Sequence, residues 1–194
     1  LVDDYSALYT LYRKCGGDYW YNKTGWLDTT PLVCQMFGIT CNEDSVVTEI
    51  NLRNNNLTAS GHDVFYSLVG SFKELKVLDL AGNQLTGTLP LGYIRTFLKL
   101  EYIDISRNYF IGYADMAFPS STWYANFSHN QFTTLSFFKF NAAYETLEIV
   151  DLSHNNFIQD TSYVFDNIPH NIQTLILTNN SISSSLPDLS QLGL

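Results

Sequence analysis

A short apolar motif recurs along the chain and limits what the chain can fold into. The stretch TLEIVDLSHNNF (residues 146–157) fits the template L-x-x-L-x-L-x-x-N-x-L, in which other apolar residues can replace leucine. The template fits six times, with its asparagine at Asn55, Asn83, Asn108, Asn130, Asn155 and Asn180. The spacings between these asparagines, 28, 25, 22, 25 and 25 residues, are the period of an array of structural repeats.

The L-x-L core of each copy predicts a short β-strand. Alternate side chains of a strand point to one face, and a single strand cannot bury that apolar face alone. Stacking the copies makes a parallel sheet with a continuous apolar core behind it. We interpret the template asparagines as structural, because their side-chain amides can satisfy backbone groups of neighbouring turns. The fourth copy fits least well, since Thr122 and Ala125 replace larger apolar residues.

The repeats resemble the extracellular, plant-type leucine-rich repeat family, and the likeness covers essentially the whole chain. NQLTGTLP (residues 83–90) is similar to the family extension N-x-L-[ST]-G-x-[IL]-P, and NSISSSLP (180–187) repeats it with Ser184 in place of glycine. The resemblance implies an α/β solenoid: an arc with a short-stranded parallel sheet on its concave face and an irregular, 3-10 or helical convex side. A helical cap with a disulfide is implied at the amino terminus.

The region before the first repeat is similar to the amino-terminal cap of that family. Residues 7–27 contain its Gly-Gly pair and two tryptophans, and CQMFGITC (34–41) contains its two cysteines. The resemblance implies a disulfide between Cys34 and Cys41. Met36 departs from the family, which usually has tryptophan there.

An amphipathic helix is predicted inside the cap. Four residues fall on one helical face that can cover the open apolar end of the solenoid, and Gly16-Gly17 would end the helix. They are Tyr5, Leu8, Leu11 and Tyr12. Cys15 is a third cysteine, for which three states are open: a buried thiol, an alternative partner for Cys34 or Cys41, or a link to another chain.

Two regions follow from these boundaries. Residues 1–45 form the predicted cap, and residues 46–194 hold six repeats and the start of a seventh. LPDLSQLGL (186–194) is similar to the middle of a further repeat and no closing cap follows it, so we expect a longer native protein. More repeats, and a membrane anchor beyond Leu194, are the expected continuations.

The composition limits which partners the protein can bind and in which cellular compartment it is expected. The net charge of −9 and the pI of about 4.6 disfavour nucleic acid and anionic membrane surfaces, and no apolar run is long enough to cross a bilayer. Four N-x-S/T sequons and a closely spaced cysteine pair favour a secreted or cell-surface protein. N-linked glycans are therefore expected, and no other cofactor. The sequon asparagines are Asn22, Asn56, Asn126 and Asn179.

No pattern typical of a hydrolase, a metalloprotease, a P-loop or a dinucleotide site occurs in the sequence. His129 and His154 occupy the same template position in successive copies, so stacking of the repeats would make them neighbours. A nearby column contains Asp104, Asn126 and Asp151. Such side chains could hold a metal or act as an acid–base pair. We interpret them as a solvated polar face, and we expect neither an enzyme nor a metal site.

The template also identifies the side chains that point outward from the sheet. One column runs Glu49, Val77, Tyr102, Tyr124, Ile149 and Thr174, and the next runs Asn51, Asp79, Asp104, Asn126, Asp151 and Ile176. An apolar and aromatic strip edged by carboxylates is expected, which is typical of a protein interface, although the side chains could simply pack against each other. The candidate binding residues on this concave face are Val77, Asp79, Tyr102, Asp104, Arg107, Trp123, Tyr124, Ile149, Asp151 and His154.

Two features complicate this interpretation. A glycan on Asn126 would obstruct a large partner on the concave face. LSFFKF (residues 135–140) is a rival surface, because any of Phe137, Phe138 and Phe140 left exposed would suit lateral self-association.

Two functions are therefore considered. The first is an extracellular recognition module that presents its sheet face to a protein or peptide ligand. The alternative is a structural or adhesive glycoprotein whose copies associate with each other into a fibre, wall or coat.

Overall fold

A computed structural model describes residues 4–27, 32–136, 146–160, 163–164, 168–169 and 171–183. The fragment LPDLSQLGL, Ser184 and the three phenylalanines of LSFFKF lie outside these residues. Within the described part, no helix is long and apolar enough to span a membrane.

The expected large sheet is present, and its strands are stacked in the order of the repeats. Its seven strands are β1 (Ile39–Cys41), β2 (Val47–Asn51), β3 (Val77–Asp79), β5 (Tyr102–Asp104), β7 (Tyr124–Asn126), β9 (Ile149–Asp151) and β10 (Thr174–Ile176). β1 pairs with β2 in the antiparallel sense, and all later neighbours are parallel. The cap therefore supplies the first strand, and the solenoid continues it.

A second, three-stranded parallel sheet follows the template asparagines and was not predicted. Its strands are β4 (Thr86–Thr88), β6 (Tyr109–Asp115) and β8 (Gln131–Ser136), in that order. The remaining connections contain helix α2 (Gly61–Leu68) and a 3-10 turn at Ile94–Thr96. The irregular or helical connections expected from the sequence are thus joined by regular strands in the middle repeats.

The apolar template positions form one continuous core between the two sheets. In the first five copies they are buried, and in the sixth copy Ile172, Leu175 and Leu177 are partly buried and pack against that core. Thr122, the irregular residue of the fourth copy, is buried and donates its hydroxyl to the Leu100 carbonyl at 2.7 Å. This hydrogen bond allows a polar side chain at a core position.

The template asparagines have the predicted structural role. Asn83 Oδ1 accepts from the N–H groups of Asn55 and Leu57 at 3.0 and 2.9 Å, and its Nδ2 donates to the carbonyls of Leu52 and Leu80, both at 2.9 Å. Similar bonds link each later copy to the one before it. One asparagine amide per copy, buried in the first five copies and half-buried in the sixth, therefore satisfies backbone groups of adjacent turns.

The first of these asparagines links the array to the cap. Asn55 Oδ1 accepts from the Asn22 N–H at 2.7 Å, and its Nδ2 donates to the Asn22 carbonyl at 2.9 Å. The cap thus takes the place of a preceding repeat.

The cap helix is α1 (Asp4–Lys14), and it ends as predicted. The Cys15 N–H bonds to the Leu11 carbonyl, and Gly16 then adopts a φ of +68°, where an added Cβ would lie 2.5 Å from Thr58 Oγ1. Leu8, Leu11 and Tyr12 are buried, whereas Tyr5 is half-buried. The predicted apolar face therefore covers the first repeat.

Aromatic rings and a disulfide complete the cap. Trp20 and Trp26 meet edge to face at 4.8 Å, and their indole N–H groups donate to the carbonyls of Cys15 and Phe37. Met36 is 3% exposed, so methionine fills a core position where the related cap has tryptophan. The disulfide between Cys34 and Cys41 is present, and it joins a 3-10 turn at Val33–Gln35 to the end of β1.

Cys15 is a free thiol with no exposed surface. Because Cys34 and Cys41 bond to each other, neither is available to Cys15. Burial, reinforced by the nearby negative charge of Asp63, raises the pKa of the Cys15 thiol to about 12. Of the three states considered, the buried thiol is the one observed.

Candidate functional site

The two outward columns of the large sheet have the register that the template predicts. Glu49, Val77, Tyr102, Tyr124, Ile149 and Thr174 are successive cross-strand neighbours, and so are Asn51, Asp79, Asp104, Asn126, Asp151 and Ile176. Since neighbouring strands lie about 4.8 Å apart, each column is a closely spaced row of side chains. This outward surface is the concave face.

Aromatic rings cluster at the centre of the concave face. The rings of Tyr102 and Tyr124 stack with centroids 4.4 Å apart and planes 1° from parallel. Trp123 meets both edge to face, at 6.5 Å from Tyr102 and 5.7 Å from Tyr124. Trp123 is 40% exposed and the tyrosines are half-buried. The rings pack against each other and still offer surface to a partner.

The carboxylates beside this cluster are less accessible than the sequence suggested. Asp79 and Asp104 are 5% and 2% exposed. Their Oδ1 atoms accept from the N–H groups of Ala81 and Ser106, two residues further on. We expected these carboxylates to border an accessible strip, and this was wrong because both are used to hold the turns that follow their strands. Asp79 and Asp104 therefore stabilise the backbone of the concave face.

Arg53 forms an ion pair with each of the two buried carboxylates. Its Nε donates to Asp79 Oδ2 at 2.8 Å, and its Nη2 donates to Asp104 Oδ2 at 2.6 Å. Burial raises the pKa of Asp79, although the hydrogen bonds from the Ala81 N–H and Arg53 oppose this. Such a pair of charge-assisted bonds fixes the guanidinium across three successive strands.

Sequence reasoning did not identify Arg53, yet a signal was present. Arg53 follows Leu52, which ends the L-x-L core of the first copy, and the later copies have small side chains at this position. These are Ala81, Ser106, Ser128, Ser153 and Thr178. A single arginine in a column of small residues, with an aspartate on each of the next two strands, indicates an ion pair between repeats.

A shallow cavity lies on the first half of the concave face. It is lined by Glu49, Asn51, Val77, Asp79, Glu101, Tyr102 and Trp123. Four of the predicted binding residues, Val77, Asp79, Tyr102 and Trp123, therefore come together. Glu101 was missed; it pairs with Lys76 at 3.1 Å on the surface. The cavity has an aromatic wall and an acidic rim.

The other predicted residues lie outside that cavity. Arg107 is exposed, and Ile149 and Asp151 are half-buried in the next part of the sheet. His129 and His154 stack with centroids 4.0 Å apart, and Asn179 Nδ2 lies 3.0 Å from His154 Nε2.

The surroundings of His129 disfavour its protonated form. Partial burial lowers the pKa of His129, and the positive charges of His154 and Arg107 lower it further, against the attraction of Asp151. Among the described residues, no group of three or more histidine, cysteine or acidic side chains is placed to hold a metal ion.

The sequon asparagines have different surroundings. Asn179 is exposed, whereas Asn22, Asn56 and Asn126 are half-buried. The Nδ2 atom of Asn126, to which a glycan would be attached, lies 3.4 Å from the Tyr124 hydroxyl and 3.5 Å from Asp104 Oδ2. This sequon therefore lies within the concave face, as the template placed it.

Comparison with protein families agrees with the repeats seen in the sequence and the structure. The family described as Leucine Rich Repeat matches residues 74–93 and 171–192, and a second family described as Leucine Rich repeat matches residues 145–162. Receptor-like protein 18 of Arabidopsis thaliana is 29% identical over 138 residues, which cover 68% of this chain and 16% of that protein. Receptor-like protein kinase 7 of the same plant is 37% identical over 86 residues, or 44% of this chain and 8% of that protein. The chain thus spans less than a fifth of either relative.

Solved structures share the fold. The Arabidopsis receptor kinase HAESA, crystallised with the peptide hormone IDA and the co-receptor SERK1, matches with a TM-score of 0.71 and 18% identity, over 91% of this chain and 30% of that one. The ectodomain of the Arabidopsis receptor kinase SOBIR1 matches with a TM-score of 0.62 and 19% identity, over 93% of this chain and 95% of that one. At these identities the likeness concerns the fold alone.

Proposed function

We propose that this chain, as a member of the plant-type extracellular leucine-rich repeat family, binds a protein or peptide ligand on its concave face at the cell surface or outside the cell. The solved relative HAESA was crystallised with a peptide hormone, which supports this class of partner. The ligand itself is not named by the fold, because one architecture serves many partners.

The observation that carries the proposal is the aromatic cluster at the edge of the concave cavity. Trp123 keeps 40% of its surface exposed although it contacts Tyr102 and Tyr124. Tryptophan and tyrosine are enriched among the residues that contribute most to protein interfaces, because they bury a large area with few rotatable bonds.

The scaffold favours binding with little rearrangement. Arg53 connects the first strand of the array to Asp79 and Asp104 below the cavity, and the asparagine ladder ties each repeat to the next. A partner therefore meets a surface whose side chains are already held, and less conformational entropy is lost on binding.

Selection of random linear peptides against the folded protein tests the proposal. We expect the selected peptides to bind the Trp123→Ser variant at least about tenfold more weakly than the wild type. Tyr19→Ser is the matched control, since Tyr19 is 77% exposed on the cap and away from the concave face. Peptides that bind all three proteins equally would overturn the proposal.

We also propose that the chain carries N-linked glycans, and the choice of occupied sequons affects the binding mode. Intact-glycopeptide mass spectrometry of native material should find Asn126 unmodified if a large partner docks over Tyr124. Full occupancy of Asn126 would contradict docking there, because the sugar would begin 3.4 Å from the Tyr124 hydroxyl.

The alternative, a structural subunit that associates with its own copies, makes a different prediction. A recognition module should be monomeric in light scattering until its ligand is added, whereas a structural subunit should increase in mass with concentration alone.

A further inference from the structure

The second sheet has an outer face that the proposed function does not use. Along β6, Tyr109, Ile111 and Tyr113 are 53%, 45% and 56% exposed, while Phe110 and Ala114 between them are buried. Neighbouring copies add exposed residues at the equivalent template positions. We call the resulting surface the second-sheet face, made of Gln84, Thr86, Tyr109, Ile111, Tyr113, Gln131, Thr133, Asn156 and Ile158.

The register shows that these side chains form adjacent rows. Thr86 pairs with Tyr109, and Ile111 pairs with Gln131. Beyond β8, the Asn156 N–H donates to the Phe132 carbonyl at 2.8 Å and so extends the same surface into the fifth copy. The surface is therefore continuous over four repeats.

The second-sheet face is free of charge, although the chain as a whole has a net charge of −9. The template position directly after the asparagine is never charged, and neither is the position two residues later. In the six copies these residues are Asn56, Gln84, Tyr109, Gln131, Asn156 and Ser181, and Thr58, Thr86, Ile111, Thr133, Ile158 and Ser183. A partner of either charge would gain no ion pair here, so a neutral partner fits best.

Polar groups on this face have capacity for a partner. Within the described residues, the side-chain amides of Gln131 and Asn156 and the hydroxyls of Tyr109 and Tyr113 make no hydrogen bond. Each amide can donate twice and accept twice, and each phenol can do both. Two large aromatic surfaces thus lie among unused donors and acceptors.

The size of the face argues against a second copy as its occupant. Four rows of side chains about 4.8 Å apart, each about five residues long at about 3.3 Å per residue, give a patch of about 300 Å². A stable protein interface buries about 800 Å² on each partner. A narrow, extended partner fits this patch better than a globular one.

We propose that the second-sheet face binds a neutral polysaccharide chain. The rings of Tyr109 and Tyr113 stack against the apolar C–H faces of sugar rings, with Ile111 packed between them. The amides of Gln131 and Asn156 exchange hydrogen bonds with sugar hydroxyls, which both donate and accept. This attachment uses a different surface from the concave face, so both partners can bind together.

Affinity electrophoresis tests the proposal. The folded protein is run in native gels that contain a neutral polysaccharide (hydroxyethylcellulose, xyloglucan, galactomannan or laminarin), the acidic polygalacturonate, or nothing. We expect retardation by at least one neutral polymer and none by polygalacturonate. The double variant Tyr109→Ser/Tyr113→Ser should bind at least about tenfold more weakly. Tyr66→Ser, a control at a 61% exposed tyrosine of α2, should bind as the wild type does.

A second variant distinguishes loss of binding from a folding defect in the tyrosine variant. Gln131→Ala/Asn156→Ala removes two exposed amides without touching the core and should also weaken binding. The proposal is overturned if none of the four neutral polymers retards the protein, if polygalacturonate retards it equally, or if both double variants bind normally. It is also overturned if light scattering finds a dimer that the tyrosine substitutions dissociate, since the face would then belong to a second copy.

Discussion

Replacing Arg53 with methionine tests how far the concave face depends on one guanidinium. Its nitrogens lie 2.8 and 2.6 Å from the carboxylates of Asp79 and Asp104, whose side chains are 7% and 3% exposed. Methionine keeps most of the apolar stem but removes both bonds. Two hydrogen bonds to charged groups contribute about 3–6 kcal/mol. Because the arginine side chain is 40% exposed, solvent screening reduces the expected loss to about 2–4 kcal/mol near neutral pH.

The stability lost through Arg53→Met should be smaller at acidic pH than near neutral pH. Burial already raises the pKa of Asp79, and removing Arg53 raises it further. The folded variant then binds more protons than its unfolded state below neutral pH, so its free energy of unfolding rises relative to the wild type as the pH falls through the raised pKa. The difference between the two proteins is therefore largest near neutral pH.

Urea denaturation followed by circular dichroism, near pH 7 and near pH 4.5, measures both effects. Lys99→Met is the matched control, because it removes an exposed pair with Glu74 at 2.6 Å whose side chains are 54% and 36% exposed. That pair should contribute about 0–1 kcal/mol. A loss for Arg53→Met below about 1 kcal/mol, or an equal loss at both pH values, would refute the reasoning.

Three further predictions concern the scaffold. Asn83→Leu should lower the free energy of unfolding, measured by urea denaturation, by about 2–5 kcal/mol, because it leaves buried backbone groups of two repeats unpaired. Asn180→Leu should lower it less, because Asn180 is only half-buried. Cys15, whose pKa is about 12, should resist alkylation near pH 8 until the protein is unfolded; rapid labelling of the native protein would contradict this. The pKa of His129 is lowered, so stability should fall as pH drops below the ordinary histidine range, and His129→Asn should show a smaller fall between pH 7.5 and pH 5.

The sequence by itself determined the solenoid, its register and its cap. A period-two apolar core repeated at nearly constant spacing has one way to bury its faces, namely stacking in phase. The positions of Tyr102 and Tyr124 as neighbours, and of Asn83 as a link between turns, follow from that repetition alone. The local sequence pattern was sufficient to predict these contacts because each repeat contacts mainly the next one.

Only the tertiary structure decided which outward residues are accessible. Asp79 and Asp104 occupy outward template positions, but they are buried because their carboxylates accept backbone hydrogen bonds and meet a guanidinium from the first copy. The exposed Tyr109 and Tyr113 depended on three short segments pairing into a second sheet, which the six-copy template does not specify. Repetition sets the direction of each side chain, whereas its exposure depends on the neighbours that differ from copy to copy.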